Sequence, residues 1–244
     1  MPRKTDLRER KDRVLGIVIG QYIKTFTPVG SAYIAQDSRL DLSSATIRNI
    51  LADLEQEGLL THPHTSAGRL PTEAGYRYYV DNIMHEIHLL KDEKERIRAE
   101  YQQHVNELEH LLEKTSEVVS DVTHYTSMIS VDGWNGKVFC HGTSFVPGYP
   151  EFHDYKRIKE ILTILEEKER LWEVINRYLE KKIEIYIGQE IACSNMECCS
   201  LVISTYKKEN GPSGRIAVLG PTRMDYERVV STLDYFSELM KEIL

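Results

Sequence analysis

An α+β fold is predicted for this chain of 244 residues, because three hydrophobic patterns follow one another along it. Residues 1–77 combine helical spacing with two short β-rich runs around a polar loop, which is typical of a winged helix-turn-helix. Residues 78–122 keep a helical pattern without proline or glycine. Residues 123–244 mix β-rich runs with helical stretches, which predicts an antiparallel sheet with helices.

The winged helix-turn-helix is predicted to begin with two helices. The first, within residues 7–25, has one apolar stripe, formed by Val14, Ile17, Val18, Tyr22 and Ile23. Pro28 and Gly30 then interrupt the chain. Ser31 starts a short second helix that runs to Asp37.

The third helix begins at Ser43 and Ser44, whose hydroxyls can accept an unpaired backbone N–H. Its apolar residues recur at i, i+3, i+4 and i+7, which predicts one buried stripe: Ile47, Ile50, Leu51 and Leu54. Gly58 supplies the stop. Two short strands, 59–61 and 69–70, then enclose a polar loop at 62–68, which completes the wing.

The opposite face of the third helix carries side chains that bind DNA bases. Ser44, Thr46, Arg48 and Asn49 lie near its N-terminal end, the part that contacts base edges in the major groove. Arginine can bind two acceptors of guanine, and asparagine can bind adenine in the same way. The pattern predicts double-stranded DNA as a partner. The alternative is a three-helix bundle that packs against another domain and binds no nucleic acid.

The net charge of −7 is unevenly distributed. Residues 1–80 carry 11 basic and 9 acidic side chains, whereas the remaining 164 residues carry 20 and 29. Six of the cations lie within residues 3–13. Phosphate attraction acts over roughly 8–10 Å, so this local excess can favour DNA despite the total. The cluster can equally be a solvated helix face whose own acids offset it.

The segment 78–122 has the heptad pattern of an imperfect coiled coil, interrupted by three polar residues. Such a helix can pair two chains, or it can lie along its own domain. If it pairs two chains, the candidate dimerisation residues are Ile83, Leu90, Ile97, Leu108 and Leu111.

Five β-rich runs are predicted after residue 123, at 126–131, 137–144, 183–188, 200–206 and 215–220. Residues 211–214, Gly-Pro-Ser-Gly, predict a hairpin turn between the last two runs. One helix is expected at 154–181. Another follows Thr222, which can cap it with Asp225 three residues on. The economical architecture places the helices on one side of the sheet.

Composition excludes several classes of protein. The length suffices for two compact domains, and no run approaches the roughly 18 apolar residues of a membrane span. The N-terminus lacks the apolar core of a secretion signal. Four cysteines are too few and too clustered for a disulfide framework, which favours a reducing cytoplasm.

No catalytic motif is found, so we expect neither an enzyme nor a cofactor. Cys193, Cys198 and Cys199 invite a metal or redox interpretation, but their spacing is not that of ordinary zinc sites, and inert thiols are the alternative. His85 and His88 are spaced to share a ligand, although solvated side chains explain them equally. No metal site is predicted.

Three stretches together resemble the HrcA family of bacterial heat-inducible transcription repressors. The first is ATIRNILADLEQEGLLTHPHTSAGRLPTEAGYRYYVD, around the predicted recognition helix and wing. The others are GTSFVPGYPEFHDYKRI and GRIAVLGPTRMDYERVVSTLDYF. They span much of the chain. The resemblance implies that residues 123–244 form a GAF-like regulatory domain after the winged helix.

The resemblance also implies the biological setting. Family members are dimeric repressors that bind an inverted-repeat operator ahead of chaperone genes, and the chaperonin GroEL assists their folding into the DNA-binding form. Matched onto this sequence, the recognition helix and wing are expected to contact DNA. The expected DNA-binding residues are Ser31, Ser43, Ser44, Thr46, Arg48, Asn49, His64, Thr65, Ser66 and Arg69. Arg223 and Asp225 are expected to be structural.

Two departures from the family pattern stand out. Residues 132–136 leave no room for the dimerisation domain usually inserted in the GAF-like part, so the 83–122 heptad is the candidate replacement. The segment IGQEIACSNMECC also differs after Gly188. Besides the chaperonin-coupled repressor, two hypotheses therefore stay open. One is a ligand- or thiol-responsive regulator of another set of genes, and the other is a winged helix that binds protein.

Overall fold

The computed structural model describes residues 4–36, 40, 42–63, 68–85, 93–95, 97, 108–134, 137–152, 154–176, 181–209 and 211–244. The chain forms two compact units, Met1–His85 and Glu86–Leu244. Within the described residues, none of the helices combines the length and apolarity needed to cross a membrane.

The first unit contains helices α1 to α4 and a two-stranded wing. Its elements are α1 (Lys4–Thr25), α2 (Ser31–Ile34), α3 (Ser44–Gln56), β1 (Leu60–Thr61), β2 (Leu70–Pro71) and α4 (Glu73–Asn82). The stripe of α1 differs from the predicted one, because Leu15 and Ile19 are fully buried beside Val14 and Val18, whereas Ile17 is only half-buried.

Local hydrogen bonds define both ends of α3, as the sequence predicts. The Ser43 hydroxyl accepts the amide of Thr46 at 3.1 Å, which caps the first turn. At the other end Gly58 has a left-handed φ of 76°. The amide of Leu59 donates to the carbonyl of Leu54 at 2.9 Å, and this Schellman arrangement directs the chain into β1.

The wing is held against the rest of the unit by backbone contacts. β1 pairs antiparallel with β2, with Leu60 opposite Pro71. The amides and carbonyls of Val29 and Arg69 also exchange two hydrogen bonds, of 2.8 and 2.9 Å. A Cβ atom on Gly68 would lie 2.5 Å from the Val29 carbonyl carbon, so only glycine fits this approach.

The expected unbroken helix over 78–122 is not formed. α4 ends at Asn82, and residues 83–85 are not helical. Residues 93–95 and 97 are helical, and α5 spans Leu108–Thr123. Ile97 and Leu111 are 3% exposed, so neither lies on an open seam. An amphipathic stripe gains the same burial from its own domain as from a second chain, and the heptad spacing alone does not distinguish the two.

The second unit is built on a five-stranded antiparallel sheet with the order β4-β3-β7-β6-β5. The strands are β3 (Thr126–Val131), β4 (Val138–His141), β5 (Ile183–Ile187), β6 (Cys199–Lys207) and β7 (Ser213–Pro221). β6 and β7 form the predicted hairpin around residues 208–212. All five predicted β-rich runs are strands, with ends that shift by a few residues.

Helices cover both faces of this sheet, so the expectation of helices on one side is wrong. The further helices are α6 (Tyr155–Glu166), α7 (Lys168–Ile175) and α8 (Tyr226–Ile243). α5 and α8 pack on one face, whereas α6 and α7 share an apolar core with the other face, which includes Met128, Leu201 and Ile203. All six residues of β3 are buried, as two covered faces require.

Two helix boundaries also differ from prediction. The single helix expected over 154–181 divides at Glu167 into α6 and α7. Asp225, and not Thr222, is the N-cap of α8, because its carboxylate accepts the amide of Arg228 at 3.1 Å. The amide of Thr222 instead donates to the carbonyl of Cys198.

A pair of glycine substitutions tests the packing of the first unit. A Cβ on Gly75 of α4 would meet the carbonyl oxygen of Leu59 at 2.1 Å, whereas one on Gly20 of α1 would meet nothing within 4 Å. We expect Gly75→Ala to lower the free energy of unfolding by about 1–3 kcal/mol through overpacking. Gly20→Ala should raise it by about 0.5–1 kcal/mol, because alanine favours a helix. Urea unfolding followed by circular dichroism measures both, and equal effects would contradict the close approach.

Candidate DNA-binding surface

α3 has one buried aliphatic face and one exposed polar face, as the sequence predicts. Its four aliphatic stripe residues, Ile47, Ile50, Leu51 and Leu54, are at most 5% exposed. Ser44, Arg48 and Asn49 are exposed, and Thr46 is half-buried. A guanidinium and a carboxamide therefore lie side by side on the open face of the helix, available to base edges.

Ser31 lies next to this open face. It is the first residue of α2, and its hydroxyl oxygen lies 3.5 Å from Nε of Arg48, a long contact. α2 also packs on α3 through the buried side chain of Ile34. The contact orients Arg48 without burying it, so the other guanidinium nitrogens can still reach a base.

Glu55 joins the recognition helix to the wing, a role that the sequence does not reveal. Oε2 of Glu55 lies 2.9 Å from Nη2 of Arg69, and Oε1 contacts Nδ1 of His62. The side chains of Glu55 and Arg69 are 26% and 22% exposed, so the pair is largely shielded from solvent. Arg69 is thus engaged within its own unit, and its first role is to hold the wing. Such a contact spans 14 positions and leaves no periodic signal.

Three other predicted wing contacts, His64, Thr65 and Ser66, lie outside the described residues.

Two cations of the basic cluster near the N-terminus, Arg8 and Lys11, are neutralised within the unit. Arg8 pairs with Glu57 at 2.9 Å, and Lys11 lies 2.8 Å from Glu57 and 2.9 Å from Asp53. Burial disfavours the charged form of Glu57, but hydrogen bonds from Lys11 and Arg8 outweigh it and lower the pKa of Glu57. These contacts connect α1 to the C-terminal end of α3, and they favour a structural role for Arg8 and Lys11 over phosphate contact.

Residues of the proposed dimer seam occupy different environments. Ile83 is half-buried, and its Cγ2 lies 3.4 Å from the position of a Cβ on Gly16. Leu108 is also half-buried, and Leu90 lies outside the described residues. With Ile97 and Leu111 buried, the four described residues do not share one exposed face.

The candidate metal ligands do not converge within the described part of the chain. It contains no group of three or more histidine, cysteine or acidic side chains placed to hold a metal ion. His85 is exposed, and His88 lies outside the described residues. Burial raises the pKa of Cys140 to about 11.

The two family-like stretches of the second unit meet in space. Nε of Arg223 lies 2.5 Å from the carboxylate of Glu151, and both side chains are under 20% exposed. The amide of Asp225 donates to the hydroxyl of Tyr125 at 3.0 Å. Residues near 150 and near 224 are thereby joined at one end of the sheet, which agrees with the structural role expected for Arg223 and Asp225.

Comparison with known proteins assigns the family. The model of the HrcA protein C-terminal domain matches residues 88–230, which nearly coincide with the second unit. A relative from Acetivibrio thermocellus is 31% identical and aligns with 97% of this chain and 96% of its own length. The chain belongs to the HrcA family. This relative and one from Carboxydothermus hydrogenoformans, which is 28% identical over 97% of this chain and 98% of its own, are both named heat-inducible transcription repressor HrcA.

This HrcA-family chain is shorter than its relatives. The alignment with the Carboxydothermus protein extends over 334 positions, whereas this chain has 244 residues, so at least 90 positions have no counterpart here. A crystal structure of a hypothetical protein at 2.2 Å resolution superposes with a TM-score of 0.73 and 16% identity, over 96% of this chain and 97% of that one. At this identity the likeness shows a shared fold.

A double-mutant cycle tests the link between α3 and the wing. Glu55→Gln and Arg69→Gln should each destabilise the first unit, because each leaves a shielded charge without its partner. The double variant should recover part of the loss, with a coupling free energy of about 1 kcal/mol. Urea unfolding of all four proteins gives the coupling. A value near zero would show that the ion pair does not hold the wing.

Proposed function

We propose that this chain is a repressor of chaperone genes that binds an inverted-repeat operator as a homodimer through α3 and the wing. The single observation that carries the proposal is the open face of α3, where Arg48 and Asn49 are exposed beside each other on a helix capped by Ser43. Membership of a family whose curated relatives are named transcription repressors supports it.

The proposed contacts have two classes. Ser44, Thr46, Arg48 and Asn49 read bases in the major groove, with Ser43 and Ser31 at the helix starts near the phosphates. The wing, with His64, Thr65 and Ser66, contacts the backbone, and Arg69 keeps it in place through Glu55.

An inverted repeat requires two winged helices related by a twofold axis, so the proposal includes a homodimer. Because the relatives contain at least 90 aligned positions absent here, the interface is formed by residues of the shorter chain. Leu108, which is only half-buried, is a better candidate for it than Leu111. A cytoplasmic location follows from the same function.

Substitutions on α3 test the readout. Arg48→Ala and Asn49→Ala should each weaken operator binding by about 1–3 kcal/mol and relax discrimination at one base pair per half-site. Arg13→Ala is the matched control, because Arg13 is an exposed cation that pairs with Glu9 on α1. Titration of operator and scrambled duplexes at fixed salt measures the effect. Unchanged affinity of both α3 variants for both duplexes would exclude α3 as the reading element.

A second test separates the chaperonin-coupled repressor from the ligand- or thiol-responsive alternative. We expect the chaperonin GroEL to increase the fraction of chain that shifts an inverted-repeat duplex in a native gel, because it returns unfolded chains to the binding form. The expected increase is absent when a scrambled duplex replaces the operator. If GroEL leaves the active fraction unchanged while a thiol reagent alters it, the alternative replaces the proposal. Absence of salt-dependent binding to any duplex would leave a protein-binding winged helix.

A further inference from the structure

β4 lies at one edge of the five-stranded sheet, beside β3. The amide of Asp132 donates to the carbonyl of Ser213 at 2.8 Å, and this bond continues the ladder between β3 and β7. Because backbone groups alternate in direction along a strand, the bond fixes the direction of all the others in the ladder. In the observed register Phe139 directs its backbone groups towards β3, whereas Val138 and Cys140 direct theirs away from the sheet.

The outward backbone groups of Val138 and Cys140 have no hydrogen-bond partner within the part of the chain that the structure describes. Lys137, just before the strand, and His141, at its end, are exposed, and Phe139 and Cys140 are half-buried. The edge can therefore be reached from solvent. A row of unpaired amides and carbonyls is a template for one more strand.

The opposite edge of the sheet, β5, differs from β4. The amide of Thr205 donates to the carbonyl of Lys182 at 3.1 Å, which by the same alternation directs the amide of Ile187 outward. That amide donates to Oε2 of Glu190 at 2.9 Å. The chain thus caps the outward amide at the end of β5, whereas the outward amides of β4 are left open.

The lysine beside β4 does not protect this edge. Proteins often guard an edge strand with a lysine that an incoming strand would have to bury. The ammonium group of Lys137 instead contacts Glu109 of α5, and it lies 5.3 Å from the ring centroid of Phe139 and 5.6 Å from that of Trp134. Its charge is held by the carboxylate and the rings, so a second strand can approach without burying it unpaired.

We propose that β4 is the homodimer interface, at which it pairs antiparallel with β4 of a second copy and joins the two sheets. An antiparallel edge is complementary to itself, because a twofold axis brings its donors opposite its own acceptors. With Phe139 on the axis, Val138 lies opposite Cys140 of the partner subunit. Each such pair exchanges two hydrogen bonds, so every outward group of Val138 and Cys140 is satisfied.

The axis also brings the two Phe139 side chains together. They form a pair of the non-hydrogen-bonded kind, in which the Cα atoms are about 4.5 Å apart and the side chains are close. Aromatic pairs across two strands stabilise the pairing. Two residues along, His141 lies opposite Lys137 of the partner subunit.

Pairing through β4 ends at two copies, because a twofold contact uses the same strand of both chains. The inference rests on the proposed function in one respect. An inverted-repeat operator requires two winged helices related by a twofold axis, and this interface supplies the axis. β4 belongs to the second unit, so its pairing can be measured without DNA.

Sedimentation equilibrium of the full chain tests the interface. We expect the wild type to have twice the chain mass of 28.3 kDa. Phe139→Asp should halve that mass, because two carboxylates would then meet at the axis. His141→Asp is the matched control and should stay dimeric, because it adds the same charge opposite Lys137 of the partner subunit. A monomeric wild type, an assembly larger than a dimer, or a folded Phe139→Asp protein that stays dimeric would overturn the proposal.

A cysteine introduced at the axis tests the register and does not require the dimer to be broken. Phe139→Cys should give a covalent dimer on mild oxidation, because a separation of about 4.5 Å between Cα atoms lies within the range of a disulfide. His141→Cys should give none, since the two copies of that position lie roughly 13 Å apart along the strands. The wild type, with its own four cysteines, is oxidised in parallel. Peptide mass spectrometry identifies the linked residues, and equal linkage of the two variants would exclude the proposed pairing.

Titration with an inverted-repeat duplex distinguishes failure of this interface from failure of the proposed function. If Phe139→Cys forms the covalent dimer but no duplex is bound, the interface stands and the repressor proposal fails. If the duplex is bound in a sequence-specific way and Phe139→Cys forms no covalent dimer, the interface fails and the repressor proposal stands. Circular dichroism verifies that each variant is folded.

Discussion

Burial of the aliphatic stripe of α3 is the constraint on which the proposed DNA-binding surface depends. Ile47, Ile50, Leu51 and Leu54 each contribute roughly 1.5–3 kcal/mol when withdrawn from water, a sum comparable to the whole stability of a domain. Because a helix is rigid, fixing one face fixes the other. Arg48 and Asn49 are therefore directed outward, and their side chains stay exposed on the open face of the helix.

The acidic residues of α3 all lie near its C-terminal end, where they pair with cations of other elements. Cations of α1 pair with Asp53 and Glu57 at the C-terminal end of α3, where they join helices. Glu55, on the same end of α3, holds Arg69 of the wing. The N-terminal half of α3 contains no acidic residue, so no neighbouring acid of this helix neutralises Arg48. Local arrangement of this kind decides DNA affinity more than a net charge of −7.

The second unit shows how residues distant in sequence are joined at one end of a sheet. The pair between Arg223 and Glu151 connects two stretches that both resemble the family. Thr222 also bonds to the carbonyl of Cys198, so the loop between β5 and β6 is attached to the start of the same segment.

The sequence by itself determined the elements whose signals are local. The cap at Ser43, the stop at Gly58, the four buried residues of α3 and all five strands of the second unit follow from capping chemistry and from hydrophobic period. Only the tertiary structure decided the interactions between distant residues. The helix predicted over 78–122 is interrupted at 83–85, and Ile97 and Leu111 are buried. The spacing of an apolar stripe does not indicate whether its own domain or a second chain covers it. The Glu55–Arg69 pair and the second helical layer were equally invisible, since each depends on where separate segments meet after folding.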